Sequence, residues 1–389
     1  MTANVTSISK VRAAARDRAE LLRANNRTAT TLLVLVVVLV VIGLGATQSA
    51  SSVVAVDQTD DQLYFFKRQL IGVGIGTLAL LITSRIPYGI YRKLAVPAFL
   101  LTIGLLIAVL VVGEEVGGAR RWLPLPFVRF QPSEVAKVAI VFVLAYILER
   151  KHRLLKQFGH FIVPVLATVG VVSVLVMKQP DLGTTIVIGA AAMAVIIASD
   201  TPLKWVALLG LAVVGVVTLL AFDEAYRAAR IEAFLDPYAD SSGGGYQVIQ
   251  GYYALGNGGI FGVGLGASRA RWFYLPNAHT DFIFAIIGEE TGLIGGLTVL
   301  SLFIVLALAG WMVASRAPDR FGRMVAAGIT VWLSFQALVN VGGVLGVLPI
   351  TGIALPFVSF GSTALIVSMA AVGILVNIAQ SGVQRQMQQ

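Results

Sequence analysis

The chain has 389 residues, 57% of them hydrophobic and 13% charged, with 29 Lys and Arg against 20 Asp and Glu for a formal net charge of +9. A mean hydropathy of +0.85 lies beyond what soluble globular domains reach, so the chain reads as an all-α polytopic membrane protein. It has no cysteine, which excludes disulfides and Cys-based metal sites, and its three histidines, His152, His160 and His279, lack the number and spacing of a zinc site.

Residues 1–27 are polar and basic, so the apolar run that follows at 28–47 reads as an uncleaved anchor and not as a signal peptide. Ile8, Val11, Ala15 and Leu22, spaced helically among Lys10, Arg12, Arg16, Arg18 and Arg23, suit a short helix lying on anionic lipid; a disordered topogenic tail is the equal alternative. A crossing needs about 20 apolar residues. Candidate crossings lie near 28–47, 69–85, 94–112, 134–149, 161–178, 183–199, 203–221, 282–313, 324–346 and 356–379. They make ten spans within a membrane domain of 28–380, followed by a short tail at 381–389. The eighth is too long for a simple crossing and carries Glu289, Glu290 and Gly292, so it is expected to tilt, kink or rise above the membrane.

Charge placement orients this bundle. The segments assigned to the inside hold 18 of the 29 basic residues and five acids, whereas the outside holds 10 basic and 12 acidic residues. Cytoplasmic segments collect Lys and Arg, so both termini face the cytoplasm. Seven outer arginines, Arg120, Arg121, Arg129, Arg227, Arg230, Arg269 and Arg271, have no topological reason for their placement. A phosphorylated ligand at the outer leaflet explains them, because guanidinium binds phosphate bidentately. Pairing with Asp223, Glu224, Glu232, Asp236 and Asp240 is the competing explanation.

The outer segments follow in order. The loop at 48–68 ends in Tyr64, Phe65, Phe66, Lys67 and Arg68, an aromatic and basic cluster of the kind that anchors a helix at the interface. Residues 118–137 read GARRWLPLPFVRFQPSEVAK, where Pro132 and Ser133 suit a helix start and Glu134 and Lys137 form an i,i+3 pair at the membrane edge, a gating or structural element. In MKQPDLGT, Lys178 and Asp181 either pair locally or line the outer mouth of the same cavity.

The large outer segment, about 222–281, begins as helix up to Pro237, with Arg227 and Arg230 on one face, and continues through a Ser/Gly linker at 241–245. Tyr246, Gln247, Gln250, Tyr252 and Tyr253 then offer the stacking faces and amides that hold sugars. Gly256 to Gly266 has a superficial dinucleotide pattern, but no strand precedes it, and neither a nucleotide fold nor a nucleic-acid partner is expected. The last outer connection, 344–363, is uncharged and dense in Gly, Pro, Ser and Thr, a backbone tolerated at membrane depth only where it is buried or lines a cavity. Gln336 and Asn340, four apart just before it, make one helix face polar.

Six segments in this order, GARRWL at 118–123, FQPSEVAK at 130–137, QPDLGT at 179–184, GYQVIQ at 245–250, YLPNAHTDFIFAIIGEETG at 274–292 and LPITGIALPFVSFGST at 348–363, resemble the SEDS family of shape, elongation, division and sporulation proteins. The double Arg of GARRWL and the opening at 51–70 favour the FtsW-like branch over the RodA-like one. The family's usual SYGGSS-like segment reads SFGST here, with Phe360 for Tyr and Ser362 for the second Gly.

The resemblance implies a ten-span peptidoglycan glycosyltransferase of the bacterial cytoplasmic membrane. Such an enzyme polymerises lipid II, an undecaprenyl-pyrophosphate disaccharide-pentapeptide, into the growing glycan strand on the outer face. FtsW-like members work at the division septum with a class B penicillin-binding transpeptidase and other divisome membrane proteins. The family's essential outer aspartate falls on Asp281 in HTDF.

Polymerisation requires a general base for the attacking sugar hydroxyl and positive charge for the leaving pyrophosphate. Asp281 is the candidate base, and helix N-capping is its structural alternative. Arg120, Arg121, Arg227, Arg230, Arg269 and Arg271 form the cationic pool, with Lys137 a deeper member, and His279, Thr280 and Ser359 belong to the substrate-binding set. A divalent cation, Mg²⁺ or Mn²⁺, bridging Asp281 and phosphate is an alternative use of the same carboxylate. Glu289 and Glu290 lie about 12–14 Å deeper along a helix and are expected to be structural or gating groups. A lipid II flippase and a non-catalytic scaffold that recruits the transpeptidase are the rival functions.

Overall fold

The computed structural model describes residues 2–116, 118–124, 129–222 and 225–388, so Asp223 and Glu224, named above as partners for the outer arginines, lie outside the described residues. Among the described residues, eight helices are long and apolar enough to cross a membrane. In chain order, α1 (Thr2–Thr59), α2 (Tyr64–Arg85) and α3 (Gly89–Val112) lead into a small antiparallel sheet of β1 (Glu114–Val116), β2 (Ala119–Pro124) and β3 (Arg129–Phe130). Next come α4 (Pro132–Arg150), α5 (Phe158–Val165), a π-helical turn (Leu166–Gly170), α6 (Val171–Met177), α7 (Leu182–Ala198) and α8 (Leu203–Phe222). The outer helices α9 (Ala225–Leu235) and α10 (Tyr246–Gly258) precede α11 (Ile283–Ser315), α12 (Arg320–Val344) and α13 (Ser362–Gln388). The 19-residue α4 and the 17-residue α7 occupy the positions of the fourth and sixth expected crossings.

Several boundaries differ from the expectation. The basic tail and the first span form one unbroken helix, and α1 continues to Thr59, so the first outer loop shrinks to a turn at 60–63. The tenth span starts at Ser362 and not near 356, because residues 356–361 form turns. The three-stranded sheet was not expected in an all-α chain; it folds the Arg-rich loop back on itself, pairs Arg120 with Glu115 and leaves Arg121 at a break in the register.

The π-helical turn follows Pro164, whose carbonyl accepts from the Thr168 hydroxyl at 2.7 Å.

The kink expected in the eighth span falls at Gly292, whose φ of 67° and ψ of −165° lie in a region only glycine occupies readily. The Gly-rich segment after α10, a run of turns with positive φ at Gly259, Gly262, Gly264 and Gly266, lies against this kink. Val263 and Gly264 donate to the carbonyls of Glu289 and Glu290, and Leu293 and Ile294 donate to those of Gly259 and Ile260. A Cβ on Gly292 would stand 2.4 Å from the Gly262 nitrogen. Gly292→Ala is therefore expected to cost roughly 3 kcal/mol from overlap and backbone strain together, read as a fall in the thermal midpoint of the purified protein.

The core centres on α12, which packs between α4, α7, α11 and α13 and buries Trp332 completely. α8 is the opposite case: its apolar residues Leu211, Val214 and Leu219 are exposed, as expected of a helix bathed in lipid.

Candidate active site

Asp281 sits in a loop whose backbone is clamped from three sides. Asn277, in a left-handed turn with φ of 53°, accepts from the amides of Thr280 and Phe282 through its carbonyl. The Ser359 hydroxyl donates to the Thr280 carbonyl at 2.6 Å, and the Asn340 amide donates to the carbonyls of Asp281 at 2.9 Å and Ile353 at 2.8 Å. Phe360 donates its N–H to the His279 carbonyl at 3.0 Å. Ser359 and Asn340 thus hold the loop through its backbone, which leaves the Asp281 side chain for other work. The N-cap position of α11 is Phe282, with no side-chain cap, so capping is not what Asp281 does.

Asp281 lines a cavity of about 560 Å³ together with Arg121, Glu134, Asp181, His279, Thr280 and Gln336. Arg230 reaches it from α9: a Cβ built on Gly352 would lie 3.5 Å from both Asp281 Oδ2 and Arg230 Nη1. Burial pushes the Asp281 carboxyl up from 3.8 to about 6, against the pull of Arg230 and then Arg121, with Asp181 adding to the rise. Burial holds His279 down at about 4, so its ring is neutral; it packs 4.8 Å from the Phe65 ring and 5.7 Å from that of Phe360.

Arg120 pairs with Glu115 and Trp122 with Glu114, which leaves Arg121 as the extra residue of a β-bulge, and the two arginines make different contacts. Arg121 faces the cavity, its Nε donating to the Gln179 carbonyl at 2.9 Å and a second guanidinium nitrogen to that of Pro180. Arg120 points away to Glu115 at 3.4 Å, so the two do not act as one clamp. Asp181 does not pair with the exposed Lys178. Its carboxylate caps α7, accepting from the Thr184 amide at 3.0 Å and the Thr184 hydroxyl at 2.9 Å.

Beneath the cavity lies an ionic lock. Lys137 Nζ is 2.7 Å from Glu134 and donates to Gln336 Oε1 at 2.9 Å, and it lies 5.0 Å from the Trp332 ring centroid. Gln336 also accepts from Trp332 and donates to the Ala354 carbonyl. Glu134 and Gln336 line the cavity, whereas Lys137 supports them from below.

The other expected residues lie elsewhere. Arg227 is buried and donates to the Leu220 carbonyl near the C-terminus of α8. Gln247 donates to the Pro276 carbonyl, and neither it nor Tyr246 nor Gln250 lines the cavity. Arg269 and Arg271 also lie outside it, Arg271 stacking on Trp272. Glu289 is a buried brace for the loop, accepting from the Ser268 hydroxyl and the amides of Arg269 and Ala270, and Glu290 accepts from the Ser49 hydroxyl of α1.

Arg68, read as an interfacial anchor, and Arg129, an outer arginine left out of the cationic pool, both line the cavity. Arg68 lies over the Tyr64 ring at 4.7 Å, so its anchoring cluster also faces the site. Among the described residues no three His, Cys, Asp or Glu converge, and the charged side chains nearest Asp281 include two guanidinium groups. The residues therefore do not fit a resident divalent cation.

The sequence profile of the cell cycle protein family that comprises FtsW, RodA and SpoVE matches residues 29–384. A probable peptidoglycan glycosyltransferase FtsW of Geobacter sp. (strain M18) is 42% identical over 339 residues, covering 87% of this chain and 92% of that one. Stage V sporulation protein E of Bacillus subtilis (strain 168) is 40% identical over 342 residues, covering 87% and 92%. Among solved structures, a chain from a study of structural coordination of polymerization and crosslinking by a peptidoglycan synthase complex superposes with a TM-score of 0.74 at 30% identity, over 90% of this chain and 97% of that one. The rod shape determining protein RodA of Thermus thermophilus gives 0.64 at 26% identity, over 90% and 96%. With the match running through nearly the whole chain and the cavity assembled from its motifs, the protein belongs to the FtsW/RodA/SpoVE family of integral membrane cell cycle proteins.

Proposed function

We propose that the chain is a peptidoglycan glycosyltransferase that polymerises lipid II on the outer face of the cytoplasmic membrane, with ten crossings formed by the eight long helices plus α4 and α7. The observation that carries the mechanism is the placement of Asp281: a buried carboxylate raised to about 6 at a cavity of about 560 Å³, beside Arg230 and Arg121. Asp281 accepts the proton of the acceptor sugar's 4-hydroxyl as its oxygen attacks the anomeric carbon of the donor. The bond from that carbon to the pyrophosphate oxygen breaks, and Arg121 and Arg230 meet the charge that develops on the leaving group. One carboxylate suffices because pyrophosphate leaves without protonation, unlike the sugar alkoxide of a glycosidase.

Relatives named for this activity and a structural neighbour from a polymerising and cross-linking complex support the reading. They also support a class B penicillin-binding transpeptidase as partner and the division septum as the working site. The flippase reading rests on intramembrane ions, but Glu134 and Lys137 neutralise each other and Glu289 braces a loop. The scaffold reading leaves the poised Asp281 without a use.

The test is polymerisation of lipid II by the purified protein with its transpeptidase, reading glycan chains and released undecaprenyl pyrophosphate. Glycan chains that form with wild type support the reading, and an intact complex that makes none overturns it. The pH profile gives a second check. Because the folded-state value of Asp281 is raised to about 6, the rate should fall as pH drops through that value and the base becomes protonated. Asp181→Asn keeps the N-cap acceptor for Thr184 but removes a like charge, so the acid limb should move to lower pH.

A further inference from the structure

At the end of the bundle that the Lys and Arg bias assigns to the cytoplasm, a groove of about 460 Å³ opens between α3 and α4, lined by Arg92, Lys93, Val96, Tyr146, Glu149 and Arg150. Its charges are not equivalent. Arg92 is committed to the protein: it lies 3.0 Å from Glu149 and 2.9 Å from Asp319 and stacks on the Phe321 ring at 5.1 Å. Glu149 shares Arg92 with Asp319, so its charge is offset only in part, and Lys93 and Arg150 outnumber the one carboxylate that lines the groove.

The other two cations remain available. Lys93 is exposed and, among the described residues, has no ion-pair partner. Arg150 donates to the Tyr146 hydroxyl at 2.6 Å and lies over its ring at 5.3 Å, which orders the guanidinium at the groove mouth. Such a Tyr and Arg pair suits the headgroup level of a bilayer. The groove continues onto the apolar flank of α3 that carries Lys93 at helical spacing, where Val96 and Leu100 are 39% and 61% exposed.

We propose that this groove binds an anionic phospholipid of the cytoplasmic leaflet, its phosphate held between Lys93 and Arg150 and an acyl chain lying along the exposed flank of α3. Two cations beside an apolar rail match a molecule with one charged end and one hydrocarbon end. A soluble phosphate would satisfy the cations and leave the rail uncovered, so the lipid is the occupant that fits both halves.

The test uses the full chain in detergent and counts bound phosphatidylglycerol against phosphatidylcholine by native mass spectrometry. Wild type should retain phosphatidylglycerol preferentially, and K93Q/R150Q should weaken that binding about tenfold or more. K93R/R150K should keep it, which separates loss of charge from loss of fold. Arg316→Gln with Arg320→Gln, which removes two charges elsewhere at the same end, should leave it unchanged. Glycerol 3-phosphate should not displace the lipid. Undiminished phosphatidylglycerol binding by K93Q/R150Q, an equal loss in the Arg316 and Arg320 variant, or displacement by glycerol 3-phosphate would each overturn the proposal.

Discussion

Asp281→Asn should abolish glycan synthesis while leaving the protein as stable as wild type or more so. The size of the loss follows from general-base catalysis, about 10²–10⁴-fold when the base is removed. The sign of the stability change follows from linkage. The folded-state value of Asp281 is raised above 3.8, so the fold binds the protonated form more readily than the unfolded chain does. Ionisation therefore costs stability, and that cost is fully present once pH has risen through the folded value of about 6. Asparagine resembles the protonated acid and removes the cost. The backbone clamps from Ser359 and Asn340 do not involve the Asp281 side chain, so the loop should stay in place. Lost polymer with an unchanged or raised thermal midpoint would assign the effect to chemistry. Undiminished polymer would move the base elsewhere, and a large fall in midpoint would make Asp281 a structural residue.

Lys137→Met should destabilise the protein by about 3–5 kcal/mol, the usual consequence of leaving one member of a buried ion pair uncompensated. Lys137 is 1% exposed and Glu134 5%, and they are 2.7 Å apart, so little water reaches either to replace the lost partner. Removing Lys137 also takes a donor from Gln336, whose amide holds the Ala354 carbonyl under the cavity. Glu134→Gln combined with Lys137→Met removes both charges and should recover much of the stability, measured by thermal or denaturant unfolding. Activity then divides two roles. Recovery of polymerisation together with stability makes the pair a lock, whereas a stable but inactive double variant gives Glu134 a part in the cavity it lines. A Lys137→Met protein as stable as wild type would refute the buried-pair argument.

Class, crossing positions and charge bias were legible in the chain itself because burial in lipid imposes long apolar runs and cytoplasmic loops collect cations whatever the tertiary contacts are. The motifs carrying Asp281, Glu134 and Lys137 were equally readable, since ionisable residues in such runs stand out by their cost. Which arginines converge was not readable. Arg120 and Arg121 are adjacent in sequence, yet only Arg121, at a bulge in the strand, lines the cavity. Arg68 and Arg129 reach it from segments 61 residues apart, the first of which read as an interfacial anchor. Glu289 and Glu290 are polar in an apolar helix, but only the packed loop shows that the amides of Arg269 and Ala270 use Glu289 as an acceptor. Local composition determines which segments enter the membrane because transfer from water is a property of each segment. The tertiary structure alone decides which charges meet, because that depends on strand register, helix rotation and a glycine-only kink that brings distant backbones into contact.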